Sequence, residues 1–146
     1  MAAASQPRRP FAIFWPARPK IHHCDFLDYE LDDEFDHVFV LNVIHHVHDF
    51  DRFLRKAARA AKSTITIEFP TLTDNRFRGL YGFSADQMTP LNELPLIGLS
   101  GHAALQSYVY SPIAIKNLVM NEIGGFARHS TLPSQIADRV IMVFDR

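Results

Sequence analysis

Val38, Phe39, Val40 and Leu41 form an uninterrupted apolar run, the signature of a strand buried on both faces and central in a parallel sheet. After Asn42 to His48 comes Asp49, a good helix N-cap, and then Phe50, Phe53, Leu54, Ala57 and Ala61 at spacings of three and four. That spacing predicts an amphipathic helix with its basic residues outward. Thr64 to Phe69 reads as a second, β-branched strand ended by Pro70. Strand, helix, strand in this order predicts a right-handed parallel crossover.

Between Thr71 and Tyr110 the periodicity weakens, and Gly79, Gly82, Pro90, Pro95, Gly98 and Gly101 are scattered through the segment. The expectation is a long excursion with one or two short helices, either functional, as a lid or cap, or mobile. Regular structure resumes at Ser111-Pro112, an N-cap with proline at the first helical position, followed by Ile115, Leu118, Val119 and Ile123 on one face. Gly124 and Gly125 end that helix. Two closing strands are expected near Ala127 to Leu132 and Arg139 to Phe144, joined by a turn around Pro133 and Ser134.

The opening segment differs. Pro7, Pro10, Pro16 and Pro19 fall within residues 1–20, which reads as an irregular N-terminal arm ahead of a domain over 21–146. Within the arm, Phe11 to Trp15 is apolar enough for a short strand. Arg8 and Arg9 before it invite a signal-peptide reading, but the apolar run is too short and is closed by Pro16. No stretch approaches the roughly 20 apolar residues needed to span a bilayer.

With 146 residues, 47% of them hydrophobic, the chain has material for one core. Acidic and basic residues nearly cancel, at 16 against 15, so no global field recruits nucleic acid or a membrane surface. Locally the charge is segregated. Nine acidic side chains lie between Cys24 and Asp51 with no Lys or Arg among them, and Arg52, Arg55, Lys56, Arg59 and Lys62 follow. A single cysteine, Cys24, excludes an internal disulfide and fits a soluble, cytoplasmic protein.

Cys24-Asp25-Phe26, followed by Phe35-Asp36-His37-Val38-Phe39-Val40-Leu41-Asn42-Val43-Ile44-His45-His46-Val47, resembles the middle of a class I S-adenosylmethionine-dependent methyltransferase. Ile65 to Pro70, Gly124-Gly125-Phe126 and Arg139 to Phe144 are similar to that family's fifth strand, last helix-to-strand turn and final strand. The resemblance covers roughly residues 21–70 and 111–146. It implies an α/β fold: an incomplete Rossmann-like methyltransferase sheet, mostly parallel, with an antiparallel C-terminal strand.

The resemblance also implies site residues. Asp25 and Phe26 match the pair that meets the adenine of S-adenosyl-L-methionine, a carboxylate for the exocyclic amine beside an aromatic for the flat base. Asn42 and Val43 fall where the central strand opens at its carboxyl end, facing the methionine part of the cofactor. His45 and His46 border cofactor and acceptor, where an imidazole orients the acceptor or takes its proton. Glu68, a carboxylate inside an apolar strand, falls at the pocket floor, to bind acceptor or pair with a buried histidine. Arg76 and Arg78 are candidates for an anionic acceptor. His22, His23, Cys24, Asp25, His45, His46 and His48 are a competing set of metal donors, but their spacing fits no closed zinc site, and no metal is expected.

A complete member of the family carries a GxGxG turn ahead of these blocks, whereas the first glycine here is Gly79. Without the strand that leads into that turn, Val38 to Leu41 presents a bare apolar edge. Three occupants are expected: Phe11 to Trp15 or Ile21 to Phe26, a second copy in a homodimer, or a complementing chain. The leading expectation is methyl transfer to a small-molecule or macromolecular nucleophile, in an enzyme or a degenerate relative of one. The alternative is a non-catalytic methyltransferase-like binding module acting through a partner or self-association.

Overall fold

The computed structural model describes residues 20–100 and 107–146. Its main sheet has four strands: β1 (Phe35–Leu41), β2 (Ala61–Pro70), β5 (Arg128–Pro133) and β6 (Arg139–Asp145), in the order β1-β2-β6-β5. β1 runs parallel to β2, with Val38 opposite Ile65 and Val40 opposite Ile67. β6 is antiparallel both to β2 and to β5. β5 therefore points the same way as β1 and β2, and β6 alone opposes them. This is the expected incomplete Rossmann-like sheet with its antiparallel C-terminal strand.

Period-two alternation decides which face of the sheet is apolar. On β2, Ile65, Ile67 and Phe69 are fully buried, and they lie opposite Phe144, Met142 and Val140 of β6, also buried. Each of these side chains stabilises the fold by roughly 1.5–3 kcal/mol through the area it withdraws from water. Helix α1 (Phe50–Ala60) contributes Phe53, Leu54, Ala57 and Ala58 to the same cluster, and helix α4 (Pro112–Asn117) contributes Ile115. The other face of the sheet, with Thr64, Thr66 and Glu68, is only half-buried.

The helix caps fall where expected. Asp49 Oδ1 accepts from the Arg52 amide at 3.2 Å, and Ser111 Oγ accepts from the Ala114 amide at 3.1 Å. After α4 the chain widens into a π-helical stretch, Leu118–Ile123, closed by Gly124 at φ 73°. At that φ a side chain would be strained, which is why a glycine ends the helix. Ala61 belongs to β2 and not to the helix, since strand pairing begins at the residue after Ala60.

Three expectations require correction. β1 is not central, because it stands at the sheet edge among the described residues: Phe39 is 66% exposed and Leu41 49%, and Val40 is its one buried residue. Ile21 to Phe26 does not fill that edge, since these residues form irregular turns. The expected strand at Phe11 to Trp15, like the rest of the arm through Pro19, lies outside the described residues.

The third correction concerns the excursion. Besides helices α2 (Asn75–Tyr81) and α3 (Ala85–Met88), it contains a two-stranded antiparallel sheet of β3 (Ile97–Ser100) and β4 (Ser107–Tyr110). Leu72, Phe77, Met88 and Val109 form a second, smaller core beneath it. Gly98 makes this packing possible, because a Cβ there would lie 2.6 Å from the Phe77 ring and 2.8 Å from Val109. The next residue after Val109, Tyr110, joins the main core instead.

Candidate functional site

A cavity of about 430 Å³ opens at the carboxyl end of β1, walled by Asp25, Phe26, Val43, His46, Asp49 and Phe53. Two loops build it. The first is the turn that follows Asp25, whose carbonyl accepts from the Asp28 and Tyr29 amides at 3.2 and 3.0 Å. Its carboxylate Oδ1 accepts from the Leu27 amide at 2.8 Å, the usual way a short acidic side chain closes a turn on its own backbone. Phe26 tilts against Phe53 of α1, with ring centroids 4.7 Å apart, and so anchors this loop to the core.

The second loop leaves β1 at Asn42, which takes φ 61° while its amide donates to Glu68 O at 3.2 Å. Asparagine tolerates this left-handed conformation better than most side chains do. The bend turns Val43 outward and starts a short 3-10 turn, Ile44–His46. That turn separates two neighbouring histidines: His45 is 1% exposed, whereas His46 is exposed and lines the cavity. Their rings remain in contact, with centroids 3.9 Å apart.

His45 is electrostatically unusual. Burial, then the neighbouring His46, Arg139 and Arg76, push its pKa down from 6.5 to about 4, against a smaller opposing effect of Asp74. It is therefore neutral near pH 7, and its Nδ1 is buried without a hydrogen-bond partner among the described residues. Arg139 Nη1 is in the same condition. Glu68 is half-buried and accepts from Ser134 Oγ at 2.6 Å, so its partner is a serine and not a histidine.

Arg76 and Arg78 are already engaged. Arg76 Nη2 lies 3.3 Å from Asp74 Oδ2, and Arg78 Nε donates to Thr73 O at 2.6 Å. Burial pushes the Asp74 carboxyl up, but hydrogen bonds from Arg76 and Phe77 outweigh it and hold the group below its ordinary value.

The structure thus brings Asp25, Phe26, Val43 and His46 to one cavity. Asn42, His45 and Glu68 lie beside it and do not line it. Among the described residues no three His, Cys, Asp or Glu side chains converge as metal ligands. No helix there is long and apolar enough to cross a membrane.

Several contributors were not legible from sequence. Tyr110, on a strand that weak periodicity concealed, is fully buried against the second loop, and its hydroxyl donates to Ile44 O at 3.1 Å. Asp74 caps α2 through the Arg76 and Phe77 amides, and an Asp just ahead of a short helix was the available signal. Lys56, grouped with the outward basic face of α1, instead turns toward the Asp25 loop.

The family model described as a methyltransferase domain matches residues 1–64. No curated protein matches the chain. Among solved structures, the chain is similar to magnesium protoporphyrin IX methyltransferase from Synechocystis PCC 6803 with bound S-adenosylhomocysteine. The TM-score is 0.50 at 18% identity, over 80% of this chain and 47% of that one. The chain thus spans about half the length of that structure. The sequence match over residues 1–64 is thus to a methyltransferase domain, and the structural likeness shows a shared fold.

Proposed function

We propose that the chain takes part in S-adenosyl-L-methionine-dependent methyl transfer, with the cavity beside β1 receiving the adenosine end of the cofactor. The observation that carries this reading is the convergence of Asp25, Phe26 and Val43 on that cavity. Asp25 offers a carboxylate to the exocyclic amine, Phe26 an aromatic wall to the base, and Asn42 and Val43 backbone to the methionine part.

The acceptor approaches from the side of His46, His45 and Glu68. Bound there, S-adenosyl-L-methionine would supply a sulfonium methyl for in-line attack by a lone pair of the acceptor, with S-adenosylhomocysteine as the leaving group. Most of the rate in such a transfer comes from alignment. Where the acceptor carries a proton, exposed His46 is the group placed to take it, while neutral, buried His45 holds the ring of His46 in position. Glu68, fixed by Ser134, presents its remaining acceptor capacity to a donor on the substrate.

Calorimetric titration of S-adenosylhomocysteine into the purified chain tests this reading. Micromolar binding, weakened about ten-fold or more in Asp25→Ala, is the expected result. A folded protein with no detectable binding would remove the cofactor assignment.

A second reading, a methyltransferase-like binding module, is favoured by one feature: the edge strand β1 exposes Phe35, Phe39 and Leu41. Unpaired apolar edges associate with other strands. Light scattering on the wild type and on Phe39→Lys distinguishes the two, since self-association through this edge disappears in the variant.

A further inference from the structure

We propose that Lys56 is a positioning residue for adenine recognition: from helix α1 it clamps the Asp25 loop and so fixes where the Asp25 carboxylate stands. This assignment rests on the cofactor reading above and deepens it. Lys56 follows Phe53 by three residues, so both project from one face of α1. Phe53 packs on the Phe26 ring, and the Lys56 ammonium sits 5.3 Å from the centroid of the same ring. The ammonium also donates to Leu27 O at 2.9 Å and to Tyr29 O.

Those two carbonyls belong to the middle and the far end of the turn that Asp25 closes with its own carbonyl and carboxylate. One side chain thus ties two points of the turn to a helix seated in the core, where Leu54 and Ala58 are fully buried. A carboxylate on an exposed loop samples many orientations, whereas one on a pinned turn meets its ligand already oriented, which lowers the ordering cost of binding. An ammonium suits the task because it offers three donors on a flexible stem and can hold two divergent carbonyls at once.

The experiment crosses a protein variant with a ligand variant. S-adenosylhomocysteine has the exocyclic amine, and S-inosylhomocysteine carries an oxygen in its place. Titration of both into the wild type and Lys56→Met is expected to show about ten-fold weaker binding of S-adenosylhomocysteine to the variant. For S-inosylhomocysteine, which offers Asp25 no amine, the two proteins should agree within about two-fold. Lys56→Arg, which retains a long cationic donor, should recover most of the loss, and Lys56→Gln serves in place of Lys56→Met if that variant does not fold. Equal losses for both ligands would indicate a merely structural lysine, and undiminished binding in Lys56→Met would indicate no role; either overturns the assignment. Failure of the wild type to bind S-adenosylhomocysteine removes the cofactor reading, and this assignment with it.

Discussion

The Tyr110 hydroxyl donates to the carbonyl oxygen of Ile44 at 3.1 Å, joining a strand of the excursion to the turn that carries His45 and His46. Both residues are fully buried. Desolvation and the adjacent Tyr108 push the Tyr110 phenol far above its ordinary pKa, so it stays a donor at any working pH.

Tyr110→Phe removes the donor and keeps the ring that packs on Phe50 and Phe69. The Ile44 carbonyl keeps the Val47 amide as a donor at 3.2 Å, so the variant loses one net hydrogen bond, about 0.5–1.5 kcal/mol. Denaturant unfolding measures the loss, and a change below about 0.5 kcal/mol would show that the bond contributes little.

His45 makes stability acid-sensitive. Its folded pKa of about 4 lies below the unfolded value of 6.5, so the unfolded chain binds the extra proton first. Stability from this group is complete above pH 6.5 and is lost as the pH falls toward 4. The loss approaches about 3 kcal/mol. His45→Gln should flatten the difference in unfolding free energy between pH 7 and pH 4.5 relative to wild type. An unchanged pH dependence in the variant would place the sensitivity elsewhere.

Gly98→Ala inserts a methyl group against Phe77 and Val109, at 2.6 and 2.8 Å before any relaxation. Overpacking of this kind costs about 1–3 kcal/mol. Hydrogen exchange should quicken between β3 and β4, while S-adenosylhomocysteine affinity holds, because the Asp25 loop and the Asn42 bend contain no part of this contact. A matching loss of affinity would count against that separation.

The elements legible in the sequence were those whose signals are local. Asp49 with apolar residues at three and four, and Ser111-Pro112 with its own apolar stripe, each specify a helix within a dozen residues. The β3–β4 pair was not legible, because Ile97 and Leu99 are exposed and Gly98 is required by Phe77, some twenty positions away. β1 misled for the opposite reason: an apolar run implies cover on both sides, and the sequence does not say what provides it. In the site, Asp25, Phe26, Val43 and His46 could be named from their blocks. That His45 turns inward while His46 turns outward depends on a single 3-10 turn, and Lys56 is one of several basic residues on α1 until its carbonyl partners are seen.

Val109 and Tyr110 occupy consecutive positions on β4, so their side chains leave opposite faces of one strand. A single peptide unit is therefore a party wall between the two cores. The smaller core lies on one side of that wall and the larger on the other. The Ile44–His46 turn is fastened to the same wall by one phenol.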